Sequence, residues 1–203
     1  MSARLLAGAA IALGAFVALG LVVSGRPPGT LDSAAAAFFF GQATPVAAAI
    51  TSAGLFPAYV ALCVAALVAG IVRRAWLPRA LLSVATVVVA WQTSDVFKAL
   101  FHRARPNHWL AYHETSYSYA SGHAVLVTAF WGVWAAYALA ALPPSRSRAL
   151  LLAAIAAWIL AIGWSRLALG AHYLSDVAGG YLLGLTFVLA ATAIARRLPA
   201  IRA

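Results

Sequence analysis

Between Ser33 and Val72 the chain runs 40 residues without a charge, and Leu5–Val23 is a second charge-free run of 19. A helix needs about 20 apolar residues to cross the hydrocarbon layer of a bilayer. The longer run exceeds one span, and Pro45, Gly54 and Pro57 punctuate it. Composition closes the alternatives. The chain is 65% hydrophobic and only 9% charged, whereas soluble domains carry roughly 25% charged residues. That excludes a soluble globular enzyme, and so much apolar content excludes a disordered chain. The expected fold is all-α: a polytopic membrane protein read as one domain over residues 1–203. Six spans are expected, at Leu5–Val23, Phe56–Val72, Ala80–Phe101, Ala124–Leu142, Ala149–Ser165 and Val177–Ala195. An interfacial helix is expected between the first two, near Phe38, Phe39 and Phe40. Frequent Ala and Gly would let the helices pack closely in lipid.

The formal charge of +10 would suggest nucleic acid in a soluble protein. Here the cations stand between apolar runs, so they report topology instead, and no nucleic-acid partner is expected. In the six-span arrangement nine cations fall on one side: Arg4, Arg73, Arg74, Arg79, Arg146, Arg148, Arg196, Arg197 and Arg202. Five fall on the other: Arg26, Lys98, Arg103, Arg105 and Arg166. Positive loops stay in the cytoplasm. Both termini are therefore expected inside, in a bacterial inner membrane, with the 101–121 and 166–175 connections outside. All five His and all four acids share that outer side. The first run is longer than a signal-peptide core and no A-x-A site closes it, so it reads as a retained span. Cys63 is the sole cysteine, which excludes an intrachain disulfide and a multi-Cys metal site.

Ionisable residues at membrane depth mark functional sites, and three clusters qualify. In the first, Lys98, His102 and Arg105 share a face if the third span stays helical, until Pro106 ends it. A Lys point charge and an Arg fork suit phosphate oxygens; alternatively Lys98 snorkels and pairs with Asp95. In the second, Ser121, Gly122 and His123 open a span. Ser caps, Gly admits a ligand, and free amides attract anions, although an ordinary capped start looks the same. In the third, Arg166 precedes His172 and Asp176. Four residues apart on a helix, the carboxylate reaches one imidazole nitrogen and leaves the other with its lone pair outward. That is triad logic with histidine as nucleophile, or else a satisfied interfacial pair.

Taken in order, K-x6-R-P, S-G-H and S-R-x5-H-x3-D over residues 98–176 resemble the type-2 phosphatidic acid phosphatase (PAP2) superfamily. Its members include bacterial phosphatidylglycerophosphate and undecaprenyl-diphosphate phosphatases. One position departs: the family's second motif reads P-S-G-H, and Ala120 stands in place of the Pro.

The resemblance implies a metal-independent lipid phosphatase with no cofactor. His172 attacks phosphorus and forms a phosphohistidine, and Asp176 orients it. His123 protonates the leaving oxygen and then activates water. Lys98, Arg105, Arg166, Ser121 and Gly122 hold the phosphate. The implied partner is a lipid phosphate or diphosphate: undecaprenyl diphosphate, phosphatidylglycerophosphate or phosphatidate, met at the outer face. Transfer to an acceptor alcohol, or a non-catalytic lipid carrier, are the alternatives. His102, His108, His113 and Glu114 are irregularly spaced for a metal and read as tuning substrate access or as interfacial placement. Trp109, Tyr112, Tyr117 and Tyr119 fit an aromatic belt or line a headgroup pocket.

Overall fold

The computed structural model describes residues 2–107, 109–110, 114–198 and 201. His108, Tyr112 and His113, singled out above, lie outside the described residues. The elements are α1 (Ser2–Val23), α2 (Thr30–Phe39), α3 (Thr44–Ser52), α4 (Phe56–Val72), α5 (Leu77–Phe101), α6 (Gly122–Ala141), α7 (Arg146–Ala168) and α8 (Leu174–Ala195). A 3₁₀ turn, Arg74–Trp76, leads into α5.

Among the described residues, five helices are long and apolar enough to cross a membrane: α1, α5 with its 3₁₀ turn, α6, α7 and α8. Expected as a sixth, α4 has 17 apolar residues, the short end of the crossing range. Prolines open α3, α4 and α5, where a missing N–H costs nothing. Where an interfacial helix is expected, the chain forms two short helices, α2 and α3, bent by 108°, which together are apolar enough to count as a broken span. Gly41, at φ +78, supplies the left-handed turn between them, and its N–H donates to the last carbonyl of α7, Ala168 O, at 2.9 Å. Phe38 and Phe40 face outward, whereas Phe39 packs on Ala124, Leu167 and Val177.

The outside is apolar. Val60, Val64, Val68 and Val72 form an exposed stripe along α4, one residue per turn, as a lipid-facing side requires. Inside, small residues set the helix spacing. A Cβ on Gly180 of α8 would stand 2.6 Å from Ala124 Cβ and 2.7 Å from Ser121 O of the α6 start. One on Gly184 would stand 2.5 Å from Thr128 Cβ. This four-residue spacing lets α6 and α8 touch by backbone. Tyr119 is not part of a belt: it is fully buried and stacks on Phe16 at 5.3 Å. Its hydroxyl donates to Phe16 O at 2.6 Å, which fixes the end of the α5–α6 connection to α1.

Chain reversals gather the ends of α5 and α7 with the starts of α6 and α8. Ser121 N–H donates to Asp176 O at 3.0 Å and Leu110 N–H to Leu169 O at 3.1 Å. Every residue expected in the site lies at this end.

Candidate active site

The first correction concerns α5. It stops at Phe101, and His102 takes a left-handed conformation at φ +47. Lys98 and Arg105 therefore do not share a helical face. His102 is exposed, with its ring against Tyr117 at 4.6 Å, and takes no part in the site. Arg105 reaches the site from an extended segment instead. Its Nε donates to Ser116 O at 2.6 Å, and its Nη1 donates to Ala171 O at 3.0 Å and approaches His172 Nε2 at 3.1 Å. Lys98 lies on the last turn of α5, largely covered. Its Nζ is 3.4 Å from where a Cβ on Gly122 would be, and 3.7 Å from Asp95 Oδ1. Lys98 thus pairs loosely with Asp95 and also borders the Ser121–His123 turn.

Ser121 is the N-cap of α6, but its hydroxyl caps nothing. Its N–H is spent on Asp176 O, so the open first-turn amides are those of Gly122, His123 and Ala124. Ser121 Oγ, His123 Nε2 and Arg166 Nε are buried without a protein partner. Buried polar atoms are normally paired, so three orphans in one cluster fit an anionic ligand. Ala120, despite replacing the motif Pro, is buried in a held turn: Ser118 N–H donates to Arg103 O at 2.9 Å on one side of it.

The second correction concerns His172 and Asp176. His172 lies ahead of α8, not on it, and its Nδ1 is 3.6 Å from Asp176 Oδ2, too far for a hydrogen bond. Asp176 sits at N3 of α8 and accepts Tyr173 N–H at 2.8 Å. Burial, then the cations of Arg105 and Arg166, push His172 well below the usual imidazole value. It is therefore neutral near pH 7, as a nucleophile must be.

Sequence reading gave Thr51, Arg103, Asp32 and Ser118 no part in the site, and Glu114 only a part in tuning substrate access or an interfacial placement. Glu114 bridges two of the expected phosphate ligands: Arg105 Nη2 donates to its Oε2 at 2.6 Å and Arg166 Nη2 to its Oε1. Arg166 Nη1 donates to Thr51 Oγ1 of α3 at 2.9 Å. Arg103 is buried and donates to Asp176 Oδ1 from Nη1 and to Asp32 Oδ2 of α2 at 2.6 Å from Nη2. Asp32 also accepts Ser175 N–H at 2.9 Å. Ser118 lies between Asp176 and His172. Among the described residues, no group of three His, Cys, Asp or Glu side chains is placed to hold a metal.

The site thus assembles a neutral buried imidazole, three cations, a second imidazole whose Nε2 has no protein partner, and open amides at one bundle end. The PAP2 superfamily model matches residues 76–199, more than half the chain. The chain belongs to the PAP2 superfamily. This PAP2 chain is 36% identical over 94 residues to Phosphatidylglycerophosphatase B of Bacillus subtilis, covering 45% of the chain and 46% of that relative. It is 36% identical over 114 residues to Lipid A 1-phosphatase of Rhizobium johnstonii, covering 51% of the chain and 43% of that relative. The chain therefore spans about half the length of the curated relatives it matches. A crystal structure of the first transmembrane PAP2-type phosphatidylglycerolphosphate phosphatase from Bacillus subtilis superposes with a TM-score of 0.80. That match covers 94% of this chain and 96% of the other at 23% identity, which establishes a shared fold. Asp32 and Thr51 lie ahead of the matched segment, in the bent pair.

Proposed function

We propose that this chain is a membrane lipid phosphatase that removes a phosphate from a lipid monoester or diphosphate through a phosphohistidine. The observation that carries the reading is the Arg105–His172 contact at 3.1 Å. A guanidinium N–H has no acceptor capacity, so Nε2 must present its lone pair toward the cation cluster, where a phosphate would sit. In this scheme His172 Nε2 attacks phosphorus while Lys98, Arg105, Arg166 and the Gly122 and His123 amides neutralise the equatorial oxygens. His123 protonates the departing lipid oxygen and afterwards takes a proton from the attacking water. Asp176 stabilises the imidazolium. Ser121 contributes its free hydroxyl rather than its N–H. No step calls on a metal or cofactor.

The site belongs at the outer face of the bacterial inner membrane, with both termini in the cytoplasm. The nine-to-five division of cations supports this orientation. The relatives' names support a phospholipid or lipid-linked phosphate as substrate, with undecaprenyl diphosphate, phosphatidylglycerophosphate and phosphatidate as the leading forms.

The test is phosphate release in detergent across those three lipids, a lipid A 1-phosphate and a soluble phosphomonoester, without added acceptor. At least one lipid should release inorganic phosphate, vanadate should inhibit, and EDTA should not. His172→Ala should fold and retain under about a tenth of turnover. A larger residue of activity rejects the histidine nucleophile. Phosphate released only when an alcohol is supplied marks a transferase.

A further inference from the structure

His172 and Asp176 do not meet directly; a third side chain stands between them. Asp176 Oδ1 receives Arg103. Oδ2 receives the Tyr173 N–H at 2.8 Å and the Ser118 hydroxyl at 2.6 Å. A carboxylate oxygen has two lone pairs, so Oδ2 is already filled, and His172 Nδ1 stays 3.6 Å away. Ser118 Oγ lies 3.3 Å from Nδ1. Having given its only proton to Asp176, Ser118 can only accept from the ring. Nδ1 therefore carries the proton and Nε2 the lone pair. The opposite end of the ring demands the same tautomer independently, because Arg105 Nη1 is a donor 3.1 Å from Nε2. Ser118 is fully buried, and its N–H is anchored on Arg103 O at 2.9 Å. Arg103 in turn holds Asp176, so all three members of the chain are fixed by one cluster.

We propose that Ser118 is a positioning residue: it links Asp176 to His172, selects the reactive tautomer and conveys the carboxylate's charge to the imidazolium that forms. The proposal rests on His172 being the nucleophile. As the Nε2 lone pair forms the N–P bond, the P–O bond to the lipid oxygen breaks, and that oxygen takes a proton from His123. The ring becomes a cation with its proton still on Nδ1, and the bond to Ser118 becomes charge-assisted. When water attacks phosphorus, the N–P bond breaks, its electron pair returns to Nε2, and the water's proton goes to His123. No proton passes through Ser118.

The experiment compares full-length Ser118→Ala, Ser118→Thr, Ser118→Cys and His172→Ala in detergent, with phosphatidate and the best lipid substrate. Ser118→Ala is expected to lower kcat at least about tenfold, short of the ~10⁴ that a wrong histidine tautomer costs. KM should stay within about twofold, since the phosphate ligands are untouched. Ser118→Thr keeps the hydroxyl and should recover most of the kcat; loss of packing alone would give no such rescue. Wild-type kcat in Ser118→Ala, with His172→Ala inactive, overturns the proposal and leaves the nucleophile standing. An active His172→Ala overturns the nucleophile, and the Ser118 role with it. Should Ser118→Ala fail to fold, the near-isosteric Ser118→Cys decides: reduced kcat at unchanged KM upholds the relay, and wild-type kcat refutes it.

Discussion

Glu114 brings a negative charge to the place where the proposed substrate would bring its own. Its two oxygens lie on Arg105 and Arg166, accepting the bonds that two phosphate oxygens would accept. Burial alone would raise its carboxyl, but Arg166, His172, Arg105 and Lys98 together hold it below the ordinary range. A carboxyl with a depressed pKa stays charged above that value, so Glu114 is ionised throughout neutral and mildly acidic pH. A phosphate must displace it. Glu114→Gln should therefore tighten competitive inhibition by vanadate by about tenfold, or about 1.4 kcal/mol. The ratio of wild-type to variant inhibition constants should be flat from about pH 5.5 to 7.5, because Glu114 does not titrate there. Weaker inhibition in the variant would show instead that Glu114 orients the arginines for phosphate. Local spacing pointed to the residues proposed to attack and to clamp phosphate, since Lys98–Arg105, Ser121–His123 and Arg166–Asp176 are short motifs. It could not show the pairings of Glu114, Ser118, Arg103 or Asp32. Their partners lie 9 to 143 residues away in sequence, and no helical period connects them.

Among the elements, the bent pair α2–α3 has the strongest claim on catalysis beyond the motif-bearing helices. From α2, Asp32 pins Arg103 and Ser175, behind Asp176. From α3, Thr51 pins Arg166 and accepts the Ser165 hydroxyl at 3.1 Å. The turn after α3 is pressed on the second imidazole: a Cβ on Gly54 would fall 2.6 Å from His123 Cδ2 and 3.2 Å from Thr51 O. Gly54→Ala should therefore displace the His123 ring and lower kcat about 10- to 100-fold, the scale of an ångström-level misplacement. Its thermal stability in detergent should change little. Gly14→Ala on α1, where a Cβ meets nothing within 4 Å, is the control and should be silent. Wild-type turnover in Gly54→Ala would mean that His123 has room to spare. Hydropathy located the long helices because a span is a local composition. It did not resolve α2 and α3, since the whole 33–72 run carries no charge to divide it. The bend comes from tertiary anchors, Gly41 on Ala168 and Asp32 on Arg103 and Ser175.

At the scale of the whole molecule, the two ends of the bundle differ in kind. One end buries Asp32, Arg103, Arg166, His172 and Asp176 in a network that consumes its own charges. The other carries Arg73, Arg74 and Arg146 exposed and Arg148 half-buried, where α4 meets α5 and α6 meets α7, with Arg79 donating to Ile201 O at 3.1 Å. Free cations at a membrane surface resist translocation and are drawn to an anionic cytoplasmic leaflet, whereas paired ones are not. Discounting the buried Arg103 and Arg166 makes the asymmetry sharper than a raw count. Electrostatics alone thus supports the proposed orientation, independently of any family likeness. It can be read by cysteine labelling in a Cys63→Ser background. Asn107→Cys lies on the exposed outer loop and Ser147→Cys on the exposed α6–α7 side. An impermeant maleimide applied to intact spheroplasts should label the Asn107→Cys protein and spare the Ser147→Cys protein until the membrane is opened. The reverse pattern would turn the site toward the cytoplasm. An enzyme so oriented would draw on inner-leaflet lipids, and exported lipid carriers would cease to be candidate substrates.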